Sequence, residues 1–347
     1  MKKRLLALVL ALVVALGLVA CGNNTEVPES TPVQDTTPTL PPKPAVEVKV
    51  DNACYEAAKK MTADGVFDAG GTVTAKCPYC EESKEWEPLP AVTSNSEQVV
   101  LEAKHYYLDK NVDYTQNMFR YNIGRDENND GVNVCVHLNG QNISQSENAG
   151  DGRIFWVDAK GYLTIMGEGT LTAFGKGTTP EDFRGGAIDT SGGTINLCGG
   201  TYKSTSDAPS IFTRGKNKCN IRIYEGTTIT CESECTVPRI YLNAVTNISV
   251  CGGVIDGGVF TNAEGSVTVS NNAKITKTNG GLDLTSGILL TLDTLEETAE
   301  IYVTANDGIF SAAEYEKANY ADWYVGNFKP AVDGKKITVE AKQLVIG

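Results

Sequence analysis

The sequence predicts an all-β fold: a right-handed, single-stranded parallel β-helix with a small N-terminal Cys-containing module and a C-terminal α/β cap. Three observations point there. A short apolar-polar-apolar pattern ending in a turn recurs as VHLNG (136), LTIMG (163), INLCGG (195), IRIYEG (221), ISVCGG (248), VTVSNN (267) and LTLDT (290). The intervals between copies run from 19 to 32 residues, the length of one solenoid coil. Finally, 35 glycines amid abundant Thr and Asn favour many short strands over helices.

The leader and tether come first in the chain. Lys2, Lys3 and Arg4 precede an uninterrupted apolar run from Leu5 to Val19, which is short for a membrane span and laid out as a secretion signal. It resembles a bacterial lipoprotein signal, whose lipobox is matched by Leu18-Val19-Ala20-Cys21. That resemblance implies cleavage after residue 20 and a diacylglycerol on Cys21, so that the chain is held to the membrane by lipid. Residues 21–45, rich in Pro and Thr, cannot bury a core and read as an extended tether. Residues 46–97 form the small module, with a helix expected around NACYEAAKKM.

The β-helix is expected over 98–305. Val136, Leu163, Ile195, Ile221, Ile248, Val267 and Leu290 form one aliphatic column; Leu138, Ile165, Leu197, Ile223, Val250, Val269 and Leu292 form another. Between them stand His137, Thr164, Asn196, Arg222, Ser249, Thr268 and Thr291, all polar. Period-two alternation describes strands with one buried face, so the aliphatic columns predict the core and the polar column the exterior. Further strands fit each coil, at RIFWV (153), GAID (186), SIFT (210), RIYL (239) and GVFT (258), and around Leu171, Tyr202, Ile229, Ile255 and Ile275.

The next column mixes Asn139, Met166, Cys198, Tyr224, Cys251, Ser270 and Asp293, and reads as an exterior or turn position. One coil lies between Cys198 and Cys251. At about 4.8 Å per coil, they exceed the ~7 Å Cα separation that a disulfide tolerates. His137, in the polar column, reads as a surface residue. Phe155, Trp156, Tyr202, Phe212, Tyr224, Tyr241 and Phe260 recur in the coils. They could stack on sugar rings from a lateral face or fill the interior.

Residues 306–347 change character. SAAEYEKANYADWYVG (311–326) reads as a short amphipathic helix, and KPAVDGKKITVEAKQLVI (329–346) as a hairpin-like pair of strands. A solenoid end exposes unpaired strand edges, so this segment reads as its cap.

These motifs resemble the pectate-lyase-like β-helix superfamily and, more closely, adhesin-like surface lipoproteins of Gram-positive gut bacteria. The resemblance rests on His105-Tyr106-Tyr107-Leu108, VCVHLNG (134–140), GYLTIMG (161–167) and GGTINLCGGTY (192–202). It implies a β-helix ectodomain that binds polysaccharide, a host glycan or a neighbouring cell. Two other functions stay open: a polysaccharide lyase or glycoside hydrolase, and a passive structural envelope protein. The polygalacturonase-type motifs NTD, DD and RIK do not occur, and Asp256 in VIDGG has no second carboxylate beside it. Binding rather than catalysis is therefore the expectation, with no catalytic residue assigned. With 43 acidic against 30 basic residues, a net charge of −13 argues against a nucleic-acid partner. A monomer is expected.

Two metal sites are candidates. Cys77 and Cys80 form a C-x-x-C knuckle, which with Cys54 upstream and His105 downstream would complete a four-ligand structural zinc site. Relatives with a Cys/His-rich segment before the β-helix favour that reading; a Cys77–Cys80 disulfide or a metal-free ribbon competes with it. Asp126, Asn128, Asp130 and Gly131 open a D-x-N-x-D-G calcium loop, but His137 stands where the closing glutamate belongs. An Asn-Asp-Gly turn is the competing reading.

Overall fold

Each strand is short because a turn rich in glycine or asparagine redirects the chain after a few residues, and successive coils pair in register one above another. The computed structural model describes residues 53–92, 98–114, 120–124, 131–145, 153–175, 186–204, 208–231, 237–276, 278–284, 288–296, 299–305 and 336–341. Cys21, the calcium candidates Asp126, Asn128 and Asp130, and the helix expected at 311–326 lie outside them.

The fold is an all-β parallel solenoid with three strands per coil, one on each of three faces. Face A runs through His105–Tyr107, Asn133–His137, Tyr162–Met166, Thr194–Cys198, Cys219–Ile223, Thr246–Val250, Gly265–Asn271 and Ile288–Leu295. Face B runs from Val112–Tyr114 through Asn142–Gln145, Thr170–Ala173, Gly200–Ser204 and Thr227–Cys231 to Glu300–Ala305. Face C includes Arg120–Ile123, Arg153–Val157, Gly186–Thr190, Ile211–Thr213, Ile240–Leu242 and Val259–Thr261. Of the expected C-terminal cap, Lys336–Ala341 is a strand that pairs in parallel with Glu300–Ala305.

The interior is the aliphatic ladder that the repeat predicts. Leu163, Ile195, Ile221, Ile248 and Val267 are in register on face A. Ile143, Leu171, Tyr202, Ile229, Ile255 and Ile275 are stacked on face B. Phe155, Ile188, Ile211, Ile240, Val259 and Leu282 continue the core on face C. None of these is more than 1 % exposed. The aromatics divide between the two sides. Phe155 and Tyr202 belong to the interior, whereas Trp156, Phe212, Tyr241 and Phe260 sit one residue beyond inward positions and stand on the outer side of face C.

The first full coil departs from the expected register. Leu163 and Ile165 pair with Val134 and Val136, not with Val136 and Leu138. Leu138 instead lies in the turn, with its amide donating to the Met166 carbonyl. Cys135 therefore takes the place in the polar column that sequence assigned to His137, opposite Thr164. His137 moves into the next column, opposite Met166 and hence Cys198.

A small module lies over this end of face A. Its helix α1 (Ala53–Ala63) buries Cys54, Ala58 and Met61, spaced to line one face. Strands β1 (Val73–Lys76) and β2 (Ser83–Pro88) form an antiparallel hairpin. β2 then pairs in parallel with His105–Tyr107, so the hairpin extends face A by further strands. α1 and the hairpin create a second apolar layer outside the solenoid wall, containing Cys54, Phe67, Trp86, Tyr107, Met166, Cys198 and Tyr224.

That layer overturns two expectations. The mixed column is not a solvent-facing turn position near this end: Met166 and Cys198 are fully buried against the module. Nor is His137 a surface residue. Its ring is buried, its Nε2 lies 2.9 Å from the Ala58 carbonyl of α1, and its Nδ1 accepts the Asn139 amide. Burial depresses the His137 pKa to about 4, so the ring is neutral at physiological pH. Gly167, with φ +81°, has no room for a side chain: an added Cβ would come within 2.7 Å of the His137 ring.

Candidate metal centre

Four elements bring chemistry to one place on the outer side of face A. The turn between β1 and β2 carries the C-x-x-C. The Cys77 amide donates to the Glu82 carbonyl and the Glu81 amide to the Cys77 carbonyl, both at 2.8 Å, with Glu81 left-handed at φ 59°. This tight turn points both sulfurs to the same side. The parallel pairing of β2 with His105–Tyr107 then places His105 beside Trp86, and the next pairing places Cys135 beside His105. Period two does the rest: Tyr106 and Val136 point inward, so His105 and Cys135 point outward toward the knuckle.

Cys77 Sγ, Cys80 Sγ and a ring nitrogen of His105 all lie within 4.8 Å of one another. Cys80 Sγ stands 3.5 Å from His105 Nε2. Cys135 adjoins Cys77 closely enough for the two thiols to share a proton, but its sulfur is not among those that lie mutually within 4.8 Å. Cys77 and Cys135 are buried, while Cys80 and His105 are half-buried and face the edge of the cluster. The Trp86 indole meets the His105 ring edge-on, with centroids 4.9 Å apart, and screens one side.

The electrostatics favour a negative sulfur at Cys77 alone. The Cys135 hydrogen bond holds the Cys77 pKa well below the ordinary thiol range, and His105 and the Cys80 amide act in the same sense. Cys80 is pushed up to about 11 by burial, against the Glu82 amide that bonds its sulfur. Cys135 is raised by sharing its proton with Cys77 and by burial.

Three of the four residues proposed as ligands from sequence thus come together. Cys54 is the exception. It projects from α1 into the buried layer that also holds Cys198, and is not in the group of three. The residue missed from sequence is Cys135. Its signal was present in VCVHLNG, since a register two residues earlier would have set Cys135 beside His105. Next to the knuckle, a cavity of about 450 Å³ opens between helix and hairpin, lined by Cys54, Met61, Ala75, Pro78 and Tyr79.

A parallel β-solenoid joined at one end to a Cys/His knuckle is the class of protein that the fold and the cluster define. No protein-family model, curated protein or solved structure matches the chain.

Proposed function

We propose that the chain is an extracytoplasmic lipoprotein, anchored through diacylglycerol on Cys21. Its right-handed β-helix, of the pectate-lyase-like kind, offers a lateral face to polysaccharide or to a host or neighbouring-cell surface. The observation that carries this reading is the outward column of face C. Trp156, Asp189, Phe212, Tyr241 and Phe260 lie side by side on consecutive coils. Ring centroids are 5.8 Å apart from Phe212 to Tyr241 and 4.9 Å from Tyr241 to Phe260. The guanidiniums of Arg153 and Arg214 lie 4.8 and 5.8 Å from the Trp156 ring. Both bond the buried Asp189 carboxylate, at 2.5 and 2.8 Å.

Phe212 and Tyr241 are buried with Val237, so the rings open to a sugar are those of Trp156 and Phe260, each half-exposed. Among the described residues, no three carboxylates converge within 4.8 Å, and Asp189 is engaged by arginines rather than paired with a second acid.

A glycan array probed with the purified chain should retain it on one or more polysaccharides, and Trp156→Ala with Phe260→Ala should lower retention by tenfold or more. An array on which no glycan retains the chain refutes the binding reading. For the anchor, metabolic labelling with a radioactive fatty acid should mark the wild-type chain and not Cys21→Ser.

A further inference from the structure

We propose that Cys77, Cys80, His105 and Cys135 together hold one zinc ion, a structural clamp that locks the N-terminal hairpin onto the solenoid. The inference rests on the outer side of face A and stands apart from the lateral binding face.

The donor set is three sulfurs and one imidazole, which suits zinc in a closed four-coordinate structural site. In a tetrahedral site with Zn–S of about 2.3 Å and Zn–N of about 2.0 Å, adjacent sulfur and nitrogen stand roughly 3.5 Å apart. The Cys80 Sγ–His105 Nε2 separation is 3.5 Å. A second observation points the same way: Cys77 Sγ, Cys80 Sγ and a ring nitrogen of His105 converge within 4.8 Å of one another, with Cys77 buried and the other two half-buried.

Ligand choice follows from topology. Cys135 adjoins Cys77 because it is in register with His105 on the neighbouring strand, and metal binding would draw its sulfur to the other ligands. Cys54 approaches from α1 and lies in the buried layer with Cys198 instead. Binding is a proton exchange with no redox change. Three thiol protons leave as three Zn–S bonds form, and the imidazole donates its Nε2 lone pair, so the site carries one negative charge. The half-buried edge at Cys80 and His105 is the entry path.

The clamp joins parts of the chain that local structure leaves independent. Two ligands belong to the hairpin, one to the strand His105–Tyr107 and one to Asn133–His137. One ion therefore ties the terminal hairpin across two coil-to-coil pairings at the end where the solenoid begins.

The experiment uses the full chain, purified in detergent, stripped by chelator under reductant, then titrated with Zn²⁺ and with Co²⁺. One equivalent of zinc is expected by elemental mass spectrometry. The cobalt form should show tetrahedral d–d bands and sulfur-to-cobalt charge transfer. Cys135→Ser should remove roughly one third of that charge-transfer intensity, one of three thiolates, whereas Cys54→Ser should leave it unchanged. Cys80→Ala, at the accessible edge, should weaken zinc by more than the roughly 10–100-fold that loss of an outer partner costs, with the circular dichroism of the solenoid preserved. Zinc below stoichiometry in a folded chain overturns the proposal, as does a preference for iron over zinc. Loss of cobalt thiolate bands in Cys54→Ser but not in Cys135→Ser overturns the ligand assignment. A Cys77–Cys80 or Cys77–Cys135 disulfide in the isolated native chain, found by non-reducing peptide mapping, overturns it as well.

Discussion

Face A is built from one repeated pattern, yet its two ends face different surroundings. Toward the N-terminal end, the outward column of Cys135, Thr164 and Asn196 is buried, with Asn196 donating to the Thr164 hydroxyl. Farther along, the same column continues as Arg222, exposed, then Ser249 and Thr268, half-exposed. The neighbouring column runs from buried Met166 and Cys198 to half-exposed Cys251. The strands do not differ in their inner faces. What differs is that α1 and the hairpin lie over the first end. A solenoid wall specifies its interior locally, but its outer side takes whatever role the chain folds onto it.

The contrast can be broken in graded ways. The largest effect belongs to the interior, which both ends share: Ile195→Ala should cost about 2–5 kcal/mol, seen as a lower denaturation midpoint. Next comes the covered outer face, through His137. Its folded pKa of about 4 lies below the 6.5 of the free ring. The stabilisation is therefore fully present above pH 6.5 and is lost as pH falls toward 4. The loss amounts to about 3 kcal/mol on linkage. In chelator, so that no metal intervenes, His137→Gln should flatten this part of the stability–pH curve; an unchanged slope would place the titration elsewhere.

A smaller effect is expected at the helix contact. Gly226 has φ +78°, and an added Cβ would come within 2.2 Å of the Tyr55 ring of α1. Gly226→Ala should cost about 1–2 kcal/mol through the backbone alone. It should also speed amide exchange in α1 while leaving the C-terminal coils unaffected. The smallest change should be Arg222→Ala at the open end, within about 0.5 kcal/mol. A large loss there would mean that the two ends are less different than their burial indicates.

Most of the solenoid was legible because its inner columns are chemically uniform. From Leu163 to Leu290 the register read from sequence is the register found. The slip in the first coil has a physical cause. A shift of two residues keeps every side chain on its own side of the wall, so alternation cannot detect it. VHLNG and LTIMG both end in a turn, and aligning their turns displaced Cys135 by one position in the column. That single step hid Cys135, the neighbour of Cys77, and put His137 in its place. Cys77, Cys80 and His105 were recoverable because a C-x-x-C is local and histidine is rare here, with two in the chain.

By itself, the sequence determined the solenoid, its inward ladder and the knuckle, because these depend on period-two burial and on residues close together in the chain. Only the tertiary structure decided which cysteine adjoins the knuckle and which stretch of wall is covered. Both depend on pairing between strands about thirty residues apart and on a helix that meets the wall 79 residues from its own sequence position, Ala58 to His137. No local pattern records such a meeting, since either choice leaves every aliphatic residue equally well buried.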